Sequence, residues 1–270
     1  FEQRVDDGYS AFHWSHHPAQ HGSRNNNWAL NEYSLWLAEN GVDYKPKPYN
    51  GSKYVQEGMS GEYHQTTWCT DKAVAFIRAN AAYGNNWLFS INYFDPHHPF
   101  DPPKEMLDRY MEKLRDIPLP NYIPGELDNK PQPQQIDHTG AYGTKAGFPY
   151  DNMTGEDHKL VRAAYWAMID LIDRQVGRLL EVLEETGQLE NTMIIYTSDH
   201  GEMLGDHGIY LKGPYFYEPA VHVPLIIAYS SKISAGRVSD ALVELVDLPQ
   251  TILDALGMQY HPGMQGKSMW

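Results

Sequence analysis

The run over residues 192–198, with its apolar centre Met193-Ile194-Ile195-Tyr196, leads directly into Asp199, His200 and Gly201. A short apolar strand that ends in a carboxylate and an imidazole places ligand chemistry just beyond its carboxyl end. Open α/β sheets hold their ligands at that edge, so the run favours a layered α/β fold with a site there. The block continues through Asp206-His207-Gly208 to Lys212, Tyr217 and Glu218. Asp199 and His200 offer oxygen and nitrogen donors suited to a divalent metal, and Lys212 offers a cation for an anionic substrate beside it.

The rest of the chain alternates helical and strand patterns. Asn27 is expected to cap a helix over 28–40 stopped by Gly41, and a second helix is expected over 67–82 before Gly84. Residues 87–93 read as a buried strand, closed by the turn chemistry of Asp95-Pro96-His97-His98-Pro99. A short helix is predicted over 104–115. Residues 118–150 are rich in Pro, Gly, Gln and Asn without periodicity, and read as a long surface excursion near the substrate. Thr154 opens the clearest helix, in which Val161, Ala164, Met168, Leu171, Ile172, Val176, Leu179 and Leu183 recur at three- and four-residue steps before Gly187. Its apolar stripe is expected to pack on the sheet. Strands over 192–198 and 224–229 and a helix over 247–256 complete the pattern, which predicts an α/β fold with a central, mostly parallel sheet flanked by helices.

Composition narrows the function classes. The 270 residues, 41% hydrophobic and 13% aromatic, suffice for a full core in one large domain. A net charge of −14 without clustered Lys and Arg excludes a nucleic-acid surface, so an anionic substrate has to meet locally concentrated positive charge. Cys69 is the one cysteine, which excludes an intramolecular disulfide and a cysteine-built zinc site. No stretch is long and apolar enough to span a bilayer, and the opening Phe1-Glu2-Gln3-Arg4 has neither an initiator Met nor a signal-peptide layout.

Several ordered boxes carry a family resemblance. The stretch over 197–208, with Lys212-Gly213-Pro214-Tyr215-Phe216-Tyr217-Glu218 and His222-Val223-Pro224-Leu225, resembles the carboxyl-side signature of sulfatases in the alkaline phosphatase superfamily. Pro96-His97-His98-Pro99-Phe100 resembles that family's Pro-His-x-Pro-Phe box, Val176-Gly177-Arg178-Leu179-Leu180 its helix before the metal strand, and Val246-Asp247-Leu248-Pro249 its later Asp-Leu-x-Pro helix. The opening segment over 7–14 is similar to bacterial sulfatases of the choline-sulfatase and arylsulfatase types. The resemblance implies an alkaline phosphatase-like sandwich and hydrolysis of a small-molecule or glycan sulfate ester. By the same resemblance Asp199 and His200 are metal ligands and His97 and Lys212 contact the sulfate group. It implies Ca2+ as the metal, with Mn2+ or Mg2+ as alternatives, and a formylglycine nucleophile.

The chain departs from the pattern at the nucleophile. The family's Asp-Asp pair after a first strand, its Cys/Ser-x-Pro-x-Arg box and its Lys-x-His box are missing. Asp6-Asp7 follows no apolar run, and Cys69, in Trp68-Cys69-Thr70-Asp71, lacks the Pro and Arg. The order of the boxes places these elements before Phe1 and a small antiparallel subdomain after Trp270. The chain is therefore expected to be part of a sulfatase catalytic domain, truncated at both ends and inactive alone. Two other readings stay open: a phosphodiesterase or phosphonate monoester hydrolase of the same superfamily, and a non-catalytic binder of sulfated glycans. His13, His16, His17 and His21 lie in a segment that reads as loop and form no helical i, i+4 ligand pair with a nearby acid, so they read as pocket lining rather than a metal site. His207 reads as support for either the metal site or its own turn.

Overall fold

A computed structural model describes residues 8–15, 31–144 and 147–270. Two compact units form: a larger one of Phe1–Leu189 with Glu202–Val221, and a smaller one of Glu190–Gly201 with His222–Trp270.

In the larger unit the helices α1 (Glu32–Glu39), α2 (Gln65–Tyr83), α3 (Lys104–Met111), α4 (Gln132–His138), α5 (Gly155–Glu185) and α6 (Glu218–Val221) follow one another, with the two-residue strands β1 (Lys47–Pro48) and β2 (Gln56–Glu57) between α1 and α2. The smaller unit holds β3 (Ile194–Thr197), β4 (Leu225–Ala228) and α7 (Asp247–Ala255). Asn31 caps α1 by accepting from the Ser34 amide, while the expected cap Asn27 and start Trp28 lie outside the described residues.

Helix α5 forms because both ends are chemically closed. The Asp157 amide donates to Thr154 Oγ1 at 3.1 Å and the Thr154 amide to Asp157 Oδ2 at 2.8 Å, a reciprocal capping box. At the far end Gly187 takes φ 69, its amide reaches Glu184 O and the Gln188 amide reaches Leu183 O, which satisfies two terminal carbonyls. Of the predicted stripe, Val161, Ala164, Met168, Leu171, Ile172 and Leu183 are buried and Val176 and Leu179 half-buried; the first four, with Leu160, Ala163 and Ala167, share one core with Phe100, Met106, Leu107 and Tyr210. It packs on α2 and α3 rather than on paired strands. Gln175 Nε2 donates to Thr67 Oγ1 at 3.2 Å and Arg178 to Asp71 at 2.7 Å, tying α5 to α2.

The described sheet is smaller than the sequence led one to expect. β1 pairs with β2 and β3 with β4, both antiparallel, and the parallel contact is the single bridge from Val55 to Phe100. Residues 87–93 form no assigned strand. Trp87, Phe89, Ile91 and Tyr93 are half-buried and Leu88, Ser90 and Asn92 exposed, with the Trp87 and Phe89 rings 5.8 and 4.7 Å from Phe76 of α2. An apolar run carries the burial of one face, but a strand also needs a hydrogen-bonded neighbour, and none lies among the described residues. The helix expected over 104–115 ends at Met111, and a 3-10 turn over Leu114–Asp116 follows.

The stretch over 118–150 is not a bare excursion, because it contains α4 and buries Leu127 and Ala141. Tyr215 donates to Asp137 Oδ2 and Tyr217 to Gln134 Oε1, both at 2.9 Å. Polar residues hold this helix in place, so hydrophobic periodicity could not find it. No helix among the described residues is long and apolar enough to cross a membrane.

Two outcomes are expected. Ile226 of β4 and the nearby apolar Val238 and Leu242 of the smaller unit are exposed, and such unpaired, apolar surface associates. The isolated 270-residue chain should therefore elute as higher-order species in light-scattering chromatography, and a monodisperse monomer would contradict this. Burial lowers the imidazole pKa of His158, which meets the Tyr210 hydroxyl at 2.7 Å. Below about pH 6.5 the unfolded state takes up a proton that folded His158 resists, so stability falls as pH falls through that value. Urea melts at pH 7.5 and 5.5 should show a smaller acid-induced loss in His158→Gln than in the parent chain.

Candidate active site

Asp199 and His200 follow β3, and both are exposed, Asp199 at 84% and His200 at 41% of the side chain. The His200 amide donates to Asp199 Oδ1 at 2.9 Å, which leaves Oδ2 towards the imidazole, 3.6 Å from Nε2. His200 Nδ1 lies 2.8 Å from Gly201 O. A carbonyl only accepts, so Nδ1 carries the proton and the Nε2 lone pair faces the carboxylate. An imidazole nitrogen and a carboxylate oxygen at this spacing can share one divalent cation, which fits the expected donor types. Among the described residues no group of three or more His, Cys, Asp or Glu side chains could hold a metal ion. Asp6 and Asp7 lie outside the described residues.

His97 and Lys212 belong to the larger unit. The His97 amide donates to Phe94 O at 3.1 Å and its Nδ1 to His98 O at 2.6 Å, which fixes the orientation of the ring. Its ring lies between Phe94 and His98, at centroid distances of 4.8 and 4.2 Å. Lys212 follows a closed loop: the Met203 amide bonds Leu211 O and the Gly205 amide bonds Ile209 O, each at 2.9 Å. That pairing brings Glu202 and Lys212 to the same end of the loop.

Tyr142 reaches this neighbourhood from the 118–150 stretch. Its ring is 6.4 Å from His98, its phenol is within hydrogen-bonding range of the Lys212 backbone, and half of its surface is exposed at 50%. Burial, then the charges of Glu202 and Asp137, raise its phenol pKa. Its backbone is left-handed, φ 57, a conformation unusual for a tyrosine and concentrated at functional sites. Sequence reasoning missed Tyr142, and its one local signal is the flanking pair Gly140 and Gly143.

The loop tip is a structural knot. Asp206 pairs with Arg162 of α5 and accepts the Asn121 amide at 2.8 Å. His207 stacks on Tyr217 at 4.0 Å and meets Glu126 at 3.2 Å, so it supports its turn. His13 pairs with Glu32 at 2.6 Å, and His16, His17 and His21 lie outside the described residues.

The sulfatase family model matches residues 7–258. The chain belongs to the sulfatase family. It is 31% identical over 216 residues to an arylsulfatase of Clostridium perfringens, covering 78% of this chain and 42% of that protein. It is 30% identical over 260 residues to the multifunctional alkaline phosphatase superfamily protein PehA of Trinickia caryophylli, covering 88% of this chain and 49% of PehA. The phosphonate monoester hydrolase of Silicibacter pomeroyi superposes with a TM-score of 0.75 at 29% identity, over 89% of this chain and 49% of that one. The fold is thus alkaline phosphatase-like, and the chain spans about half the length of these relatives.

Replacing Arg162 by Met leaves the Asp206 carboxylate without its cation. The pair is half-buried, so this should cost about 1–3 kcal/mol, between the values for exposed and buried pairs. Denaturant melts of the larger unit measure the loss.

Proposed function

We propose that this chain is part of a metal-dependent sulfuric ester hydrolase acting on an organic sulfate ester, with its nucleophile, a formylglycine, supplied by residues outside 1–270. The observation that carries this reading is the set of His tautomers and charges at the family boxes. His97 has its ring oriented by the bond from Nδ1 to the His98 carbonyl, Lys212 adds an ammonium within an acidic chain, and Asp199 and His200 turn one oxygen and one nitrogen towards each other.

Hydrolysis breaks the S–O ester bond and leaves negative charge on the departing oxygen. His97, carrying a proton on Nε2, donates it to that oxygen, and the Lys212 ammonium stabilises charge on the nonbridging sulfate oxygens. Asp199 and His200 would hold the metal, Ca2+ by the family resemblance with Mn2+ or Mg2+ as alternatives; when bound, it supplies Lewis-acid polarisation of the sulfate group. The Tyr142 ring offers a face on which a cyclic leaving group, aryl or sugar, can stack.

A second reading, hydrolysis of a phosphonate monoester, is supported by the likeness to the Silicibacter pomeroyi hydrolase. The two separate in one assay. The full-length gene product, with and without chelator, is given aryl and alkyl sulfates and aryl phosphonates. Metal-dependent sulfate release is expected, with kcat on an alkyl sulfate, whose basic leaving group needs the proton, falling about 10²- to 10⁴-fold in His97→Ala, and no turnover by residues 1–270 alone. Faster phosphonate cleavage would favour the second reading, and no turnover of either would favour a binder of sulfated glycans.

A further inference from the structure

We propose that Thr66 and Thr70 of α2 form a clamp that positions His97 through Asp95 and Tyr93. The proposal rests on the reading of His97 as proton donor given above.

Thr66 Oγ1 donates to Asp95 Oδ2 at 2.7 Å. One helical turn later Thr70 Oγ1 lies 2.9 Å from the Tyr93 hydroxyl and 3.0 Å from Thr66 O. A threonine has one proton to give, and the carbonyl can only accept it, so Tyr93 donates to Thr70. Four residues of α-helix advance about 6 Å. Two residues of extended chain advance about 6.6 Å. The i, i+4 threonines therefore match the i, i+2 pair of Tyr93 and Asp95, and a slip of one residue would break both bonds at once.

The Thr66–Asp95 bond is buried, so water competes little for it, while the bond from half-buried Tyr93 to buried Thr70 is partly covered. Asp95 also lies at the amino end of α2, where His64 is the cap: the Thr66 amide donates to His64 Nδ1 at 3.3 Å, and that nitrogen is 3.5 Å from Asp95 Oδ2. A carboxylate is favoured beside the first turn of a helix.

The other flank of the His97 turn is held as well. Phe100 is fully buried, its carbonyl accepts the Gln56 amide at 2.9 Å, and the Pro102 carbonyl accepts the Gly58 amide at 3.0 Å. Gly58 is required there, since a Cβ would stand 1.8 Å from Asp101 O. His97 sits midway between the two anchors, two residues from Asp95 and three from Phe100. Small errors in the placement of an acid are costly in rate, because proton transfer needs a close, aligned approach.

The test uses the full-length protein with Thr66→Val, Thr66→Ser and Tyr93→Phe. A displaced proton donor hurts esters with basic leaving groups and spares those whose leaving groups depart unaided. Thr66→Val should lower kcat at least 10-fold on an alkyl sulfate, with KM and the kcat for nitrophenyl sulfate little changed. Thr66→Ser should restore it, and Tyr93→Phe should show a smaller loss of the same selectivity. An equal loss on all esters, or none, overturns the proposal. If the parent protein turns over no sulfate ester, the functional reading fails by itself, and the clamp is judged by amide hydrogen exchange over residues 94–99. That exchange should rise about 10-fold in Thr66→Val and Tyr93→Phe but not in Thr66→Ser, and unchanged exchange in both overturns it.

Discussion

The close approach of α2 and α3 to α5 is the constraint on which the larger unit depends. Ala163, Ala164 and Ala167 of α5 are fully buried in one core with Met106 and Leu107 of α3, and further along α5 Gln175 reaches Thr67 of α2. A larger residue at any of the three would strain a close-packed interior. The same contact orients the amino end of α2, which carries His64, Thr66 and Thr70 to the turn of Asp95 and His97. Helix packing and the placement of the candidate acid are therefore linked through α2, which Gln175 and Arg178 tie to α5.

The sequence was legible where local chemistry and periodicity agreed. Thr154 and Gly187 marked both ends of α5, because a capping hydroxyl and a left-handed glycine act on the nearest turn of backbone. Residues 87–93 and α4 were not legible for opposite reasons. The first has the composition of a strand, but pairing is settled by a neighbour far away in the chain. The second is held by Tyr215 and Tyr217 donating to Asp137 and Gln134, and polar burial of this kind leaves no hydrophobic period. The site residues His97, Asp199, His200 and Lys212 stood out by their boxes. Thr66 and Tyr142 did not, since a threonine inside a helix and a tyrosine inside a loop have no chemical signature until the fold brings them to a partner.

A common device sets the histidines of this chain. In His97, His138 and His200, Nδ1 meets a backbone carbonyl, at 2.6, 2.7 and 2.8 Å, so the proton sits there by necessity. What differs is the environment of Nε2. In His138 it faces Asp151 at 3.1 Å, and the ring, stacked with Tyr150, ties one loop to another. In His200 it faces Asp199 across a gap wide enough for a cation. The bond from Nδ1 to a carbonyl is thus common to the three rings, and the partner of the second nitrogen distinguishes them.

Charge follows a similar logic. With a net charge of −14 the chain as a whole repels an anionic ester, so attraction has to be local. Several basic residues of the larger unit are already committed: Arg162 to Asp206, Arg178 to Asp71, Arg78 to Glu185 and Lys104 to Asp108. Arg162 is the most informative of these, because it fixes the tip of the 203–211 loop from which Lys212 emerges. Removing that pair would act on Lys212 through the loop, without touching the anion. An acidic chain of this kind can bind a sulfate group only where its few cations are held in place, and here its acidic side chains do the holding.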